Sequence, residues 1–257
     1  IMYVGESFGW PQKGWMNSVI DLSLEKRPQF HYIRSYYSDE PMVNIGIYEE
    51  EAKLVLWNDV ELGMAQMNEN WNRPLNSRVK MDVWTNAEEV ELFLNGRSLG
   101  TKANLLDDPS QRNKTTWQVD YEPGVLKAVA RSKGKFVAEH VVETVGEAVA
   151  LKLEADNPDW TSDGFDLQHI RISAVDNQAR TVFDAKELVK FSVKGPARLI
   201  GVDNGDMMTD ELHVAKERSL HRGTALAILR AGREPGRVTF TADAEGFEPI
   251  ALTFEVK

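Results

Sequence analysis

Arg78-Val-Lys-Met-Asp-Val-Trp-Thr-Asn-Ala-Glu-Glu-Val-Glu-Leu-Phe-Leu-Asn-Gly-Arg-Ser-Leu-Gly100 reads as two strands followed by a tight hairpin. Val79, Met81 and Val83 alternate with Lys80, Asp82 and Trp84, the period of a half-buried strand. Val90, Leu92 and Leu94 repeat the pattern against Glu89, Glu91 and Phe93. Asn95-Gly96 then supplies the two positive-φ residues of a type I′ turn. The stretch predicts a hairpin in a β-sandwich, and nothing in the pattern itself specifies an enzyme.

From Met42 to about Glu147 the pattern stays β. Val43 to Ile47 opens this module, and strands are expected at Thr115–Asp120, Val125–Arg131 and Phe136–Thr144, with Lys133-Gly134 in a turn. Leu105–Asn113 is expected to be an exposed loop. Within Ala52–Asn76, Lys53–Trp57 suits a strand, while Met64, Met67 and Trp71 suit a short helix or an ordered loop. A methionine and aromatic stripe of this kind is usually packing. After Val145–Val149, alternating runs at Leu151–Ala155, Ile170–Ala174, Val189–Val193, Ala225–Arg230, Val238–Ala242 and Ala251–Val256 predict a second sandwich. Seven or so short strands with turn signals are what each Ig-like sandwich needs.

Residues 1–41 follow another rule. Ile1-Met-Tyr-Val4, ended by Gly5, has the continuous apolar character of a buried parallel strand. Pro28 sits where a first helical turn tolerates it, Phe30, Ile33 and Tyr37 follow at helical spacing, and Asp39-Glu-Pro41 closes the element. A lone βα unit this aromatic cannot bury its own face; it reads as the last strand and helix of a (β/α)₈ barrel. The predicted architecture is therefore mainly β: a barrel remnant (1–41), an Ig-like sandwich (42–147) and a second one (148–257). An apolar strand and helix left without a barrel must be covered, so the helix is expected to pack on the first sandwich through Phe30 and Ile33. Residues 1–41 also offer a surface for self-association.

The bulk numbers exclude several partners. Among 257 residues the formal net charge is -10, with no basic stripe to hold a nucleic acid or an acidic membrane. No apolar run reaches the 18 or so residues of a membrane span. Zero cysteines exclude disulfides, thiol nucleophiles and Cys-ligated zinc. The N-terminus shows no signal peptide, and the composition suits cytoplasm and periplasm equally.

Val83 to Gly100, with Trp117-Gln-Val-Asp-Tyr-Glu-Pro-Gly-Val-Leu-Lys-Ala-Val-Ala130, resembles the sandwich module that follows the catalytic barrel in β-galactosidase-like members of glycoside hydrolase family 2. Gly201-Val-Asp-Asn-Gly-Asp206 resembles the next C-terminal module, and Tyr3-Val-Gly-Glu-Ser7 with Gly9-Trp-Pro11 resembles the end of the barrel. The resemblance runs in order along nearly the whole chain. It implies a parent enzyme that hydrolyses terminal, β-linked sugars with retention, meets its carbohydrate substrate through the barrel, and works in a periplasmic or other extracytoplasmic space.

Retaining glycosidases need two carboxyl groups about 5 Å apart. In the family these come from the fourth and seventh barrel strands, and this chain begins at what resembles the eighth. No catalytic residue is therefore carried over. Glu6, at the end of the predicted strand, is a candidate substrate-side residue, although a structural hydrogen bond suits it better. Trp10 either stacks on a sugar or packs the barrel rim. Trp160, in Asp159-Trp-Thr-Ser-Asp163, is a third sugar-stacking candidate, with a sandwich-core tryptophan as the commoner outcome.

Asp203-Asn-Gly-Asp206 is the one cluster with closely spaced oxygen ligands for a cation, but it lacks the length and order of an EF-hand loop. A turn held by Asp and Asn side chains is the better reading. His31, His140, His169, His213 and His221 show no metal-ligand spacing, so neither a metal nor a cofactor is expected. The rival to an accessory region of a glycosidase is a stand-alone carbohydrate-binding or adhesion module, which a row of exposed coplanar aromatics on one sheet would favour.

Overall fold

A computed structural model of the protein describes residues 11, 19–49, 53–57, 60–64 and 66–257, with backbone alone for 53–57 and 60–64. Contacts divide the chain into two units, one containing Glu25–Thr144 and the other Val145–Lys257, with Leu22–Leu24 grouped with the second. The expected strand Ile1–Val4 lies outside the described residues.

The first unit starts with helix α1 (Pro28–Tyr37) and continues through strands β1 (Val43–Tyr48), β2 (Lys53–Trp57), β3 (Val60–Met64), β4 (Met67–Asn68), β5 (Arg78–Thr85), β6 (Glu89–Leu94), β7 (Arg97–Ala103), β8 (Lys114–Asp120), β9 (Val125–Ser132) and β10 (Lys135–Glu143). Sheets ordered β4-β1-β5-β8 and β10-β9-β6-β7 form the sandwich, and β2 and β3 form a separate antiparallel pair. The opening stretch is thus split. β5 and β6 lie in different sheets, and the short link after Thr85 carries the chain across the sandwich. The hairpin predicted at Asn95-Gly96 is β6–β7, and both turn residues have positive φ, 52° and 79°. Lys133 and Gly134 repeat this at the β9–β10 turn, with φ of 52° and 72°. Inward residues of both sheets, among them Ile45, Ile47, Met81, Val83, Val90, Leu92, Leu94 and Leu126, make one apolar core.

β5 is buried on both faces in its second half, not half-buried as its alternation predicts: Asp82 and Trp84 are as enclosed as Met81 and Val83. The cover is α1. Pro28 opens the helix, and the Tyr32 ring lies 6.1 Å from that of Trp84. Three hydrogen bonds fix the helix: Asn113 Nδ2 to Ser35 O (3.0 Å), Tyr36 Oη to Arg112 O (3.0 Å) and Asn86 Nδ2 to Ser38 O (2.9 Å). The helix packs on the first sandwich as expected, but through Pro28, Tyr32 and Ser35. Phe30 is half-buried, and Ile33 is 41% exposed, because the face turned to β1 and β5 is the one carrying Ser35.

The described residues of Met64–Trp71 form no helix. Met67 pairs with Tyr48 in the short strand β4, and Trp71 inserts fully into the core, edge-on to Tyr121, with its indole N–H donating to Glu122 O. Tertiary burial of two large apolar side chains overrode any helical spacing.

The second unit holds β11 (Ala150–Ala155), β12 (Leu167–Val175), β13 (Leu188–Lys194), β14 (Ala197–Asp203), β15 (Glu217–Ser219), β16 (Thr224–Ala231), β17 (Gly236–Ala244) and β18 (Ile250–Val256). Its sheets are ordered β11-β12-β16-β14 and β15-β13-β17-β18, every pairing antiparallel. Phe240, Ile170, Ile172, Leu229, Val238 and Trp160 anchor its core. β14 has no clear alternation in sequence because a register shift between Leu199 and Gly201 interrupts it. The architecture is a pair of Ig-like sandwiches with α1 laid on the first.

Candidate functional site

Of the three sugar-side candidates, Glu6 and Trp10 lie outside the described residues. Trp160 is only 1% exposed. Its indole N–H donates to Asp166 O (3.1 Å), its ring stands edge-on to Phe254 at 5.9 Å, and its backbone carbonyl accepts from the Lys257 N–H. A ring enclosed in this way has no face for a sugar, so the stacking role of Trp160 is replaced by core packing. Trp71, Trp84 and Trp117 are buried too.

A densely bonded polar site is the loop after β14. Asp203 Oδ1 accepts the backbone N–H groups of Asn204 and Gly205, both at 2.7 Å. Its Oδ2 lies 2.8 Å from His213 Nδ1. Asn204, buried, donates to Ser219 O and accepts from Asp206 N–H, while Asp206 Oδ1 accepts from Met208 N–H. Gly205 takes the left-handed conformation this turn needs, with φ of 74°. Behind the loop, Arg218 is fully buried and donates to Val202 O (3.0 Å) and to Glu211 Oε2 (3.3 Å). Burial would raise the Glu211 carboxyl, but the Ser219 N–H and hydroxyl, together with Arg218, hold it below the usual range.

The side-chain oxygens of this loop are therefore aimed at its own backbone and at neighbouring histidines. A calcium or magnesium site needs several oxygens converging on one point, and among the described residues no group of three or more His, Asp or Glu side chains has that arrangement. The loop fastens the end of β14 to β15. Sequence reasoning found the Asp and Asn residues but missed Arg218 and Glu211, since an Arg on a three-residue strand carries no signal that it will be buried.

A second polar centre lies in the first unit. His140 on β10 accepts the Ile45 N–H on Nδ1 (3.2 Å), and its Nε2 lies 3.1 Å from Asn44 Nδ2 and 3.8 Å from Glu69 Oε1. Asn44 Nδ2 also donates to Glu69 Oε1 (3.0 Å). Burial holds His140 below the usual imidazole range against the pull of Glu69, and burial lowers nearby His31 as well. Beneath α1, Asp82 accepts from Tyr48 Oη (2.7 Å) and Thr116 Oγ1 (2.6 Å).

None of these centres has the chemistry of a glycosidase acid. Among the described residues, the carboxyls displaced from their ordinary range, Glu91, Asp108, Asp166, Asp176 and Glu211, are displaced downward, whereas a general acid needs an upward shift.

Both sandwiches have known counterparts. Residues 151–253 match the glycoside hydrolase family 2 C-terminal domain 5, and residues 76–138 match a domain of unknown function (DUF4982). A glycosyl hydrolase family 2 member from Bacteroides cellulosilyticus superposes with a TM-score of 0.89 and 32% identity, over 96% of this chain and 32% of that one. The chain belongs to the C-terminal region of glycoside hydrolase family 2.

Beta-galactosidase BoGH2A of Bacteroides ovatus is 29% identical over 253 residues, covering 97% of this chain and 27% of its own. A beta-glucuronidase of Formosa agariphila is 30% identical over 72% of this chain and 19% of its own. The family 2 chain described here thus spans a fifth to a third of the length of these relatives. The family domain match on the second sandwich includes the Asp203–Asp206 loop and Arg218.

Proposed function

We propose that the chain supplies the non-catalytic C-terminal sandwiches of a retaining glycosidase of the β-galactosidase or β-glucuronidase kind, supporting its barrel and meeting carbohydrate only through it. The observation that carries this reading is the match of both sandwiches, in order and over 96% of the chain, to a family 2 hydrolase. The exposed side of α1, with Ile33, Tyr36 and Tyr37, is where the parent's barrel, or a second copy through residues 1–41, would rest.

The stand-alone binding-module rival draws less support. Trp71, Trp84, Trp117 and Trp160 are buried, and the exposed aromatics Tyr36, Tyr37, Phe136 and Phe165 form no row on one sheet. The test is hydrolysis of aryl β-galactosides and aryl β-glucuronides by the purified 257-residue chain. No turnover above buffer is expected. Turnover that disappears in Glu6→Gln would overturn the reading and make Glu6 a catalyst.

A further inference from the structure

β14 and β16 place Arg198 and Arg230 directly opposite each other. Like charges at opposed positions of an antiparallel pair destabilise it, so the placement asks for a counter-charge. None comes from the protein: Arg198, Arg230 and the adjacent Arg233 make no ion pair or side-chain hydrogen bond among the described residues. All three line one open cleft of about 480 Å³, together with Gly164, Phe165, Ala197 and Gly232. That size lies within the ~300–1,000 Å³ of small-molecule sites.

The backbone around the cleft is fixed. Ala231 N–H donates to Asp166 O and Gly232 N–H to Pro196 O (2.7 Å), tying the loop carrying Phe165 and the β13–β14 turn to the end of β16. Asp163 Oδ1 accepts both Phe165 and Asp166 N–H at 2.7 Å, a tight turn that leaves the Phe165 ring 70% exposed. Gly164, with φ of 83°, allows the Arg233 stem to lie against this turn; a Cβ there would stand 3.1 Å from Arg233 Cγ. Three arginines without ion-pair partners among the described residues and one exposed apolar ring thus line a single cleft.

We infer that this cleft in the second sandwich binds an acidic saccharide, a short sugar chain carrying a carboxylate or sulfate group. Guanidinium groups pair with planar or tetrahedral oxyanions through two parallel N–H donors, and the exposed phenyl ring offers an apolar surface to the C–H face of a pyranose. A long polyanion such as nucleic acid is disfavoured, because it needs an extended basic track and this chain carries a net charge of -10. The inference goes beyond the accessory role proposed above and does not depend on catalysis by the parent.

The test is calorimetric titration of the whole chain with a glucuronic-acid oligosaccharide, a sulfated oligosaccharide, a neutral oligosaccharide of equal length and inorganic phosphate. One or both acidic sugars should bind, at least about tenfold more tightly than the neutral one, and weaken as salt rises. Which of the two binds tells carboxylate from sulfate recognition. Arg230→Gln and Arg198→Gln should each lower that affinity about tenfold without lowering the melting temperature, since each relieves the opposed pair. Phe165→Ala should weaken the sugar while leaving the salt dependence intact. Equal binding of neutral and acidic sugars, phosphate binding as tight as the sugars, or no binding of either acidic sugar would each overturn the inference. So would full affinity in Arg198→Gln/Arg230→Gln. Hydrolysis by the chain alone would overturn the accessory reading and leave this one standing.

Discussion

His140 Nδ1 accepts the backbone N–H of Ile45 at 3.2 Å, so a side chain from one sheet satisfies a main-chain donor of the other. β4 pairs with β1 only at Ile47 and Tyr48, which leaves the Val43–Gly46 edge without a strand on that side. The imidazole stands in for the missing neighbour, and it can do so only while Nδ1 keeps its lone pair.

A dependence on pH follows. Burial lowers His140 and, nearby, His31 in the folded state. Below about pH 6.5 the unfolded chain takes up these protons first. The stability they contribute is thus fully present above that pH and is lost as pH falls through the lowered folded values, by up to about 1.4 kcal/mol per pH unit for each imidazole. Urea unfolding of the wild type between pH 7.5 and 5 should show this loss. His140→Gln should be less stable at pH 7.5 but show a shallower decline. An equally steep decline in the variant would remove His140 from the account.

Gly46 on β1 is a packing glycine. A Cβ there would lie 2.3 Å from Trp84 Cη2 and 3.0 Å from Met67 Cε, so the absent side chain is the slot in which the indole sits beneath α1. Gly46→Ala should cost about 1–3 kcal/mol by overpacking and loosen α1, read as faster amide exchange in the helix after Pro28. Unchanged stability and exchange would mean that the indole rearranges freely.

Trp160 belongs to the core of the second sandwich. Trp160→Ala should destabilise by about 3–5 kcal/mol through the cavity it leaves, measured by denaturant unfolding followed by a probe in the second sandwich. A variant of wild-type stability that had lost sugar binding would restore the stacking role.

Arg218 and Glu211 hold the Asp203–Asp206 loop from behind. Arg218→Ala strips a partner from a partly buried carboxylate and should cost about 3–5 kcal/mol. The double-mutant cycle with Glu211→Ala should give a coupling of at least about 1 kcal/mol; strict additivity would show that the two side chains act separately.

What the sequence by itself determined was local and periodic. Alternation of two placed β5, β6, β8 to β13 and β16 to β18, Asn95-Gly96 fixed the β6–β7 turn, and Pro28 marked the start of α1, because each signal depends on near neighbours alone. The Asp and Asn content of 203–206 likewise foretold a self-bonded turn. Tertiary structure alone decided that β5 and β6 part into opposite sheets, since the pattern that buries one face is the same in either sheet. It alone turned Asp82 and Trp84 inward, because their cover comes from a helix some fifty residues upstream. It hid Trp160, buried Arg218, and brought Arg198 opposite Arg230 across a strand pair whose register is bulged. Such relationships join residues far apart in the chain, and no local period encodes which distant side chain will supply burial, a hydrogen bond or an opposing charge.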